Sequence, residues 1–438
     1  MFKLGCAEAE FKVPLFVELY GYGPYAGRKN IGTFEPLYCR AYSFNDGNNR
    51  AMILYSDICC IDDLYARELR AKIATELHLN PESVAFVATH THSGPAIGSS
   101  VQESVGIPNA ALQDTWKRLM FETAVKAFYD EEEIANADAG SAIPDQPLGK
   151  NRVEPETNIT DPAIRYMRFK RADGSVKLMI HNYAGHGISD SGKLTKYVSS
   201  DWMGKINRFI KEEKLADFPL YLQGAAGDQN VRFSCYLSGD PESSRKLADE
   251  YISCLKRDIP NAAEAKLDGI SFILKTVEFP TIKQTAEELR QDEASFRSKG
   301  ETPQEKEYWG VIADRLAEMA IKLEQGENLD SLHDLQIIRI GDAEFIFIPG
   351  ELFIGPGIEM LNGADGKYPF LSTLSNGNGS YLFDENCAKK YPSIFSKNLG
   401  WGFYEIYTYM YRHKFKYRDD IAQFLIDNIR KLEKYTWN

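Results

Sequence analysis

Ala51-Met52-Ile53-Leu54-Tyr55-Ser56-Asp57, a segment from Asp62 to Leu79 with Leu64, Leu69, Ile73 and Leu77 at helical spacing, and Ser83 to Thr89 decide the fold class between them. A short apolar run closed by turn residues reads as a buried strand, and an apolar period near 3.6 reads as a helix packed on one face. The order is therefore strand, helix, strand. Working outward, Leu112, Trp116, Leu119, Met120, Ala124 and Phe128 predict a helix at about 111–131. It ends in Asp130-Glu131-Glu132-Glu133, which reads as a solvated face. Strands are predicted at about 163–170, 176–183, 219–223, 268–279, 335–340 and 343–348, and helices at about 201–215, 241–258 and 419–434. Residues 284–326, rich in Glu, Gln, Lys and Ala, carry one apolar stripe through Leu289, Phe296, Tyr308, Ile312, Leu316 and Ile321. That pattern predicts a helical hairpin laid on the main body. The expected fold is α/β (mixed α+β): one large catalytic domain over 1–438, with mixed sheets flanked by helices and a hairpin insertion at 284–326.

Composition narrows the partners. The 438 residues carry 51 Lys+Arg against 63 Asp+Glu, a formal charge of −12, with 43% hydrophobic and 26% charged residues. The basic residues are scattered, so no electrostatic footprint for nucleic acid or an anionic membrane is expected. No apolar run reaches the roughly 18 residues of a spanning helix, and Met1 to Glu8 lacks the apolar stretch of a signal peptide, which predicts a cytoplasmic protein without a transmembrane segment. Cysteines 6, 39, 59, 60, 235, 254 and 387 are odd in number and show no CxxC spacing. They read as reduced core thiols rather than a disulfide framework or a cysteine metal site.

The densest chemistry lies at strand ends. Ala88-Thr89-His90-Thr91-His92-Ser93-Gly94-Pro95 runs a strand into a turn, and side chains at i and i+2 of a strand share a face, so His90 and His92 emerge together. One imidazole can bind a metal while the other moves protons near neutral pH. Two partly buried histidines satisfied by backbone carbonyls would show the same spacing. His181-Asn182-Tyr183-Ala184-Gly185-His186-Gly187 is a second strand end, whereas His78, His333 (on a polar connection) and His413 read as structural. Leu222-Gln223-Gly224-Ala225-Ala226-Gly227-Asp228-Gln229-Asn230 is a glycine-rich turn, open to close ligand approach or an ordinary tight turn. Phe345 to Pro349-Gly350-Glu351 delivers a carboxylate after an apolar strand, as a helix cap would too. Asn376-Gly377-Asn378-Gly379-Ser380-Tyr381 presents a tyrosine. No G-x-S-x-G, H-E-x-x-H or G-x-G-x-x-G string is present, so a serine triad is not expected.

Taken in series, Thr89-His90-Thr91-His92-Ser93-Gly94-Pro95, Asn182-Tyr183-Ala184-Gly185-His186, the Gly224 to Asn230 turn and Pro349-Gly350-Glu351 resemble the neutral/alkaline (non-lysosomal) ceramidase family in its catalytic domain. The resemblance runs from Gly21-Tyr22-Gly23 through Pro36-Leu37-Tyr38-Cys39-Arg40 and Asn151-Arg152 to Tyr381. It implies a zinc-dependent amidohydrolase, with zinc held by His90, His186, Glu351 and Tyr381 and an activated water as nucleophile. It further implies His92 as proton carrier, Arg152 as the cation that steadies oxygen charge, and Asp228 as support for an imidazole or the water. Asn230, Ser93 and Tyr183 fall where substrate would be held. Asp57 and Asp201 rank lower, because capping accounts for them equally well.

Two departures stand out. Ceramide-cleaving members have a Gly-Asp-Val-Ser-Pro-Asn type loop; here Gly227-Asp228-Gln229-Asn230-Val231-Arg232 puts Asn230 at the serine position, which removes any serine nucleophile. The immunoglobulin-like C-terminal domain of many members has no counterpart after the predicted helix Asp419 to Lys434. The implied substrate is an N-acyl lipid such as ceramide (N-acylsphingosine). A smaller or more polar amide or ester is the alternative within the same chemistry, and a non-catalytic metal-containing binding protein the alternative outside it.

Overall fold

One unit recurs three times, each with two parallel strands and the helix that crosses between them. Arg50–Ser56, helix Asp63–Leu77 and Val84–Ala88 form the first. Val176–Tyr183, helix Asp201–Glu212 and Phe218–Gln223 form the second. Ala343–Phe347, helix Ile354–Asn362 and Tyr368–Ser372 form the third. Parallel partners cannot be joined by a tight turn, so each pair needs such a crossover. The computed structural model describes residues 1–22, 28–98, 106–192, 195–232, 234, 239–391, 401–407 and 415–436. Gly23, Cys235 and His413, named above, lie outside the described residues.

Each unit is extended by antiparallel strands into its own sheet. The first sheet continues from Arg50–Ser56 through Tyr38–Asn45 and Lys3–Glu10 to the short Glu132–Glu133. The second continues from Val176–Tyr183 through Ile164–Lys170 and Asn136–Ala142 to Ala263–Ala265. In the third, Ala343–Phe347 pairs with Leu332–Ile340, which pairs with Ile270–Glu278. A main core joins the first two sheets and part of the third through Tyr42, Tyr55, Phe169, Trp202 and Phe345. The fold is thus mixed α/β, as the strand and helix periods predict. Helices Ala286–Arg297 and Pro303–Glu324 pack on each other. Leu289, Phe296, Ile312 and Leu316 face inward, whereas Ile321 is 43% exposed. Met319 and Ala320, three and four residues beyond Leu316, take the inward positions instead.

Lys3–Glu10, Tyr38–Asn45 and Asn136–Ala142 carry no strong strand signal. Their strand character comes from pairing, as in the antiparallel register of Lys3–Glu10 against Asn45–Tyr38. The acidic run is also more than a solvated face. Asp130 accepts from the Cys6 N–H at 3.1 Å and Lys177 Nζ at 2.9 Å, Glu131 binds Arg50 Nε at 2.7 Å, and Glu132 binds Arg171 Nε at 3.0 Å. Helix Ala110–Tyr129 ends where the sheet rim gathers these cations, so the run closes the edge.

Two histidines sit differently from their sequence reading. His333 lies within Leu332–Ile340 instead of on a connection, buried, with Nδ1 at 2.7 Å from Asp63 Oδ1 and Nε2 at 2.9 Å from Ser331 Oγ. His181 lies inside the core, apart from His186, between Tyr251 Oη at 3.0 Å and Asn207 Oδ1 at 2.9 Å. Burial pushes the His181 imidazole down to about 4. From about pH 6.5 down to that value the unfolded chain binds a proton the folded chain refuses, so stability falls as pH drops through this window. The cumulative loss by pH 4 is on the order of 3 kcal/mol. His181→Gln should lose less stability than wild type between pH 7 and 4.5 in urea titrations; an identical acid loss would rule His181 out as the source.

Candidate functional site

All three parallel pairs send their C-terminal ends to one place, the position where α/β sheets bind ligands. His90 follows Val84–Ala88, His186 follows Val176–Tyr183, and Glu351 follows Ala343–Phe347. Backbone bonds tie the ends together: His90 N–H to the Ile58 carbonyl at 3.0 Å, His92 N–H to Gly187 at 3.0 Å, His186 N–H to Gln229 at 3.0 Å, and Gly227 N–H to Leu352 at 2.9 Å. Glu351 lies beside Tyr381 in a short parallel ladder, Glu351–Leu352 against Tyr381–Leu382.

His90 and His92 meet by a different route from strand alternation. The strand has already ended at Ala88, and His90 adopts a left-handed backbone with φ 66°. Thr91 bridges to Gly187, so the segment turns back toward the second sheet. The outcome is close contact, with His92 Nε2 at 3.1 Å from His90 Nε2 and the rings edge to face. Arg28 fixes the same segment by donating to the His92 and Tyr20 carbonyls, each at 2.9 Å. Gly21, at φ 124°, packs so closely on the His92 ring that a Cβ would lie 2.7 Å from Cγ. Only glycine fits there.

Four donor atoms converge. Glu351 Oε2 lies 3.1 Å from His90 Nε2 and 3.3 Å from His186 Nε2, and His92 Nε2 stands against His90. Nδ1 of His90 faces the Cys59 carbonyl at 3.0 Å, and Nδ1 of His186 faces the Gln229 carbonyl at 3.1 Å. A carbonyl accepts only a proton, so both Nε2 lone pairs are turned inward. Burial, with Arg152 beyond, pushes His186 down to about 3, and burial with His90 and His186 lowers His92 well below its usual range. His186 Nε2 and Glu351 Oε2 are buried without a hydrogen-bond partner among the described residues. Two imidazole nitrogens and a carboxylate oxygen fit a divalent cation of the kind that accepts mixed N/O ligands.

Arg152 stands against Tyr381. Its Nη2 reaches the Gly227 carbonyl at 2.8 Å, Glu405 Oε1 at 2.9 Å and Tyr381 Oη at 3.1 Å, and its Nη1 reaches Asn230 Oδ1 at 3.3 Å. Glu405, from helix Trp401–Tyr407, is fully buried and was not singled out by sequence, where an isolated Glu among aromatics has no motif around it. Burial pushes its carboxyl up to about 8 against the pull of Arg152. Cys59, expected as a plain core thiol, is buried but also brings Sγ to 3.5 Å from His90 Nδ1.

The remaining expected residues divide. Asp228 gives Oδ1 to the Ile354 N–H at 2.9 Å and Oδ2 to Asn151 Nδ2 at 2.7 Å, while its carbonyl takes the Arg152 N–H at 2.8 Å. Its support therefore goes to the backbone carrying Arg152 and to the helix after Glu351, instead of to an imidazole. Tyr183 is buried in the main core, edge-on to Trp202 and Tyr251. Ser93 is buried and bridges to Ser199. Asp57 accepts from the Tyr38 N–H at 2.9 Å and from Tyr55 Oη, and Asp201 accepts from the Ser189 and Trp202 N–H groups, so each holds local structure. The glycine turn holds protein instead of leaving room for a ligand: a Cβ on Gly224 would meet Ala184 at 3.0 Å, and one on Gly227 would meet the Glu351 carbonyl at 2.4 Å.

No family model and no curated protein matches the chain. Among solved structures it resembles the neutral ceramidase from Pseudomonas aeruginosa, with TM-score 0.75 and 15% identity over 99% of this chain and 75% of that one. It also resembles a structure described as ceramidase complexed with C2, with TM-score 0.70 and 14% identity over 98% of this chain and 75% of that one. The fold is therefore the one these ceramidases have. No helix among the described residues is long and apolar enough to cross a membrane.

Proposed function

We propose that this chain is a zinc-dependent amidohydrolase of the ceramidase type, cleaving N-acylsphingosine or a related N-acyl lipid. The observation that carries the reading is the meeting of His90, His92, His186 and Glu351 at the strand ends of a fold that ceramidases have. His90, His186, Glu351 and Tyr381 would hold the metal. Zinc there would supply Lewis acidity, polarising the scissile carbonyl and making water a nucleophile at neutral pH.

Hydrolysis adds water across the C–N bond: the carbonyl carbon gains oxygen, and the amine departs with a proton. His92, neutral and beside the ligands, carries the proton from the attacking water to the leaving nitrogen. Arg152, held at Tyr381, steadies the charge that develops on the reacting oxygens. Asp228 positions Arg152 through the backbone. Asn230, beside the guanidinium, and Ser93 border the substrate's place, with Tyr183 shaping it.

A second reading, hydrolysis of a smaller and more polar amide, is favoured by Asn230 at the family's serine position and by the buried Arg152–Glu405 pair next to it. Product analysis on a panel from N-acyl sphingosines to short N-acyl amines, with and without a chelator, separates the two. Chelator-sensitive release of sphingosine is the expected result. Turnover of short amides alone would establish the second reading, and chelator-resistant turnover would remove the metal from either.

A further inference from the structure

Arg152 Nη2 carries two hydrogens and faces three acceptors, Gly227 O at 2.8 Å, Glu405 Oε1 at 2.9 Å and Tyr381 Oη at 3.1 Å. Tyr381 is the registered neighbour of Glu351, and registered neighbours on adjacent strands place their side chains on the same face. A guanidinium against Tyr381 is thus also a neighbour of the Glu351 carboxylate. In a buried pocket an unbalanced guanidinium pairs with whichever carboxylate it can reach, and the fork geometry favours a close, bidentate pair. If Arg152 took Glu351, the oxygen facing His90 and His186 would be engaged by a cation of the protein's own.

We infer that Glu405 is a positioning residue that acts as the counter-ion of Arg152, holding the guanidinium at Tyr381 and off Glu351, so that Glu351 stays available to a metal. The inference rests on the metal-site reading of the proposed function. Its geometry explains why a charged pair is buried here at all, since a buried ion pair is poor stabilisation for its desolvation cost. Glu405 is completely enclosed and its partner's side chain nearly so. The helix that carries Glu405 is fastened to the body by Cys387 Sγ against the Gly402 carbonyl and by Tyr407 Oη donating to the Tyr391 carbonyl at 3.1 Å, so the carboxylate is held in place independently of Arg152.

The test is a double-mutant cycle read by zinc affinity, measured by competition with a chromogenic chelator at pH 8.5. Glu405→Gln keeps the volume and an acceptor oxygen while removing the charge. It should weaken zinc binding by about 10- to 100-fold, the usual cost of losing an outer partner of a ligand. Arg152→Gln combined with Glu405→Gln should regain the affinity of Arg152→Gln alone, because Glu405 acts only through Arg152. Additive losses, or zinc affinity within twofold of wild type in Glu405→Gln, would overturn the inference, since a merely structural residue moves the melting temperature and not the coupling. Wild-type protein that binds zinc but hydrolyses no amide overturns the proposed function and leaves the cycle decisive; wild-type protein that binds no zinc overturns both.

Discussion

Glu351→Gln is expected to remove bound zinc, from about one per chain to a small fraction, and to lower amide hydrolysis by at least about 10³-fold, the several kcal/mol a Lewis acid contributes to transition-state charge. The reason lies in the donor set. Oε2 of Glu351 is the one anionic atom between His90 Nε2 at 3.1 Å and His186 Nε2 at 3.3 Å. An amide in its place contributes no charge and can turn an N–H toward the imidazole lone pairs. Added zinc should raise the wild-type melting temperature and leave the variant's where it is, because only a state that binds ligand is stabilised by it. Metal content by mass spectrometry and melting curves with and without zinc check both halves; stoichiometric zinc in purified Glu351→Gln would remove Glu351 from the ligand set.

His92→Gln should separate metal binding from turnover. Zinc content stays near one per chain, while kcat falls by about 10²- to 10⁴-fold with KM little changed, as expected for loss of a general acid–base group. The geometry supports this division of labour. His92 Nε2 stands 3.1 Å from His90 Nε2, close to the ligands, yet its backbone is held by Gly187 and Arg28, and its ring is wedged between Tyr22 and the Gly21 backbone. His90 and His186, by contrast, each turn Nδ1 to a carbonyl, the orientation that commits Nε2 inward. Loss of zinc together with turnover in His92→Gln would make His92 a ligand and leave the proton carrier to be found elsewhere.

Much of the site was legible because its residues follow strands with clear apolar patterns. Ala88 to Pro95, Asn182 to His186 and Phe345 to Glu351 each end an apolar run, so His90, His92, His186 and Glu351 announce themselves as polar groups at strand ends. Glu405 did not, since nothing within Trp401–Tyr407 distinguishes a buried carboxylate from a solvated one. Tyr183 lies within a motif, and only the structure shows that its ring packs in the core beside Trp202. Asp228 likewise sits in the turn that suggested it, while its two oxygens go to Ile354 and Asn151.

Local sequence by itself determined the first two strand–helix–strand units, the opening strand of the third and the helical hairpin segments, because apolar periods of two and of 3.6 are properties of neighbouring residues; helix Ile354–Asn362 and strand Tyr368–Ser372, which complete the third unit, came only from the structure. It also placed His90, His92 and His186 just past apolar strands, where separate segments of the chain can meet. Tertiary structure alone decided that the three units point their strand ends at one another, that His90 reaches His92 through a left-handed residue instead of strand alternation, and that Arg152 is matched by Glu405. These contacts join residues far apart in the chain: 253 positions separate Arg152 from Glu405, and 165 separate His186 from Glu351. No local period encodes such pairs; they exist only once the sheets have packed and buried charges have had to find partners.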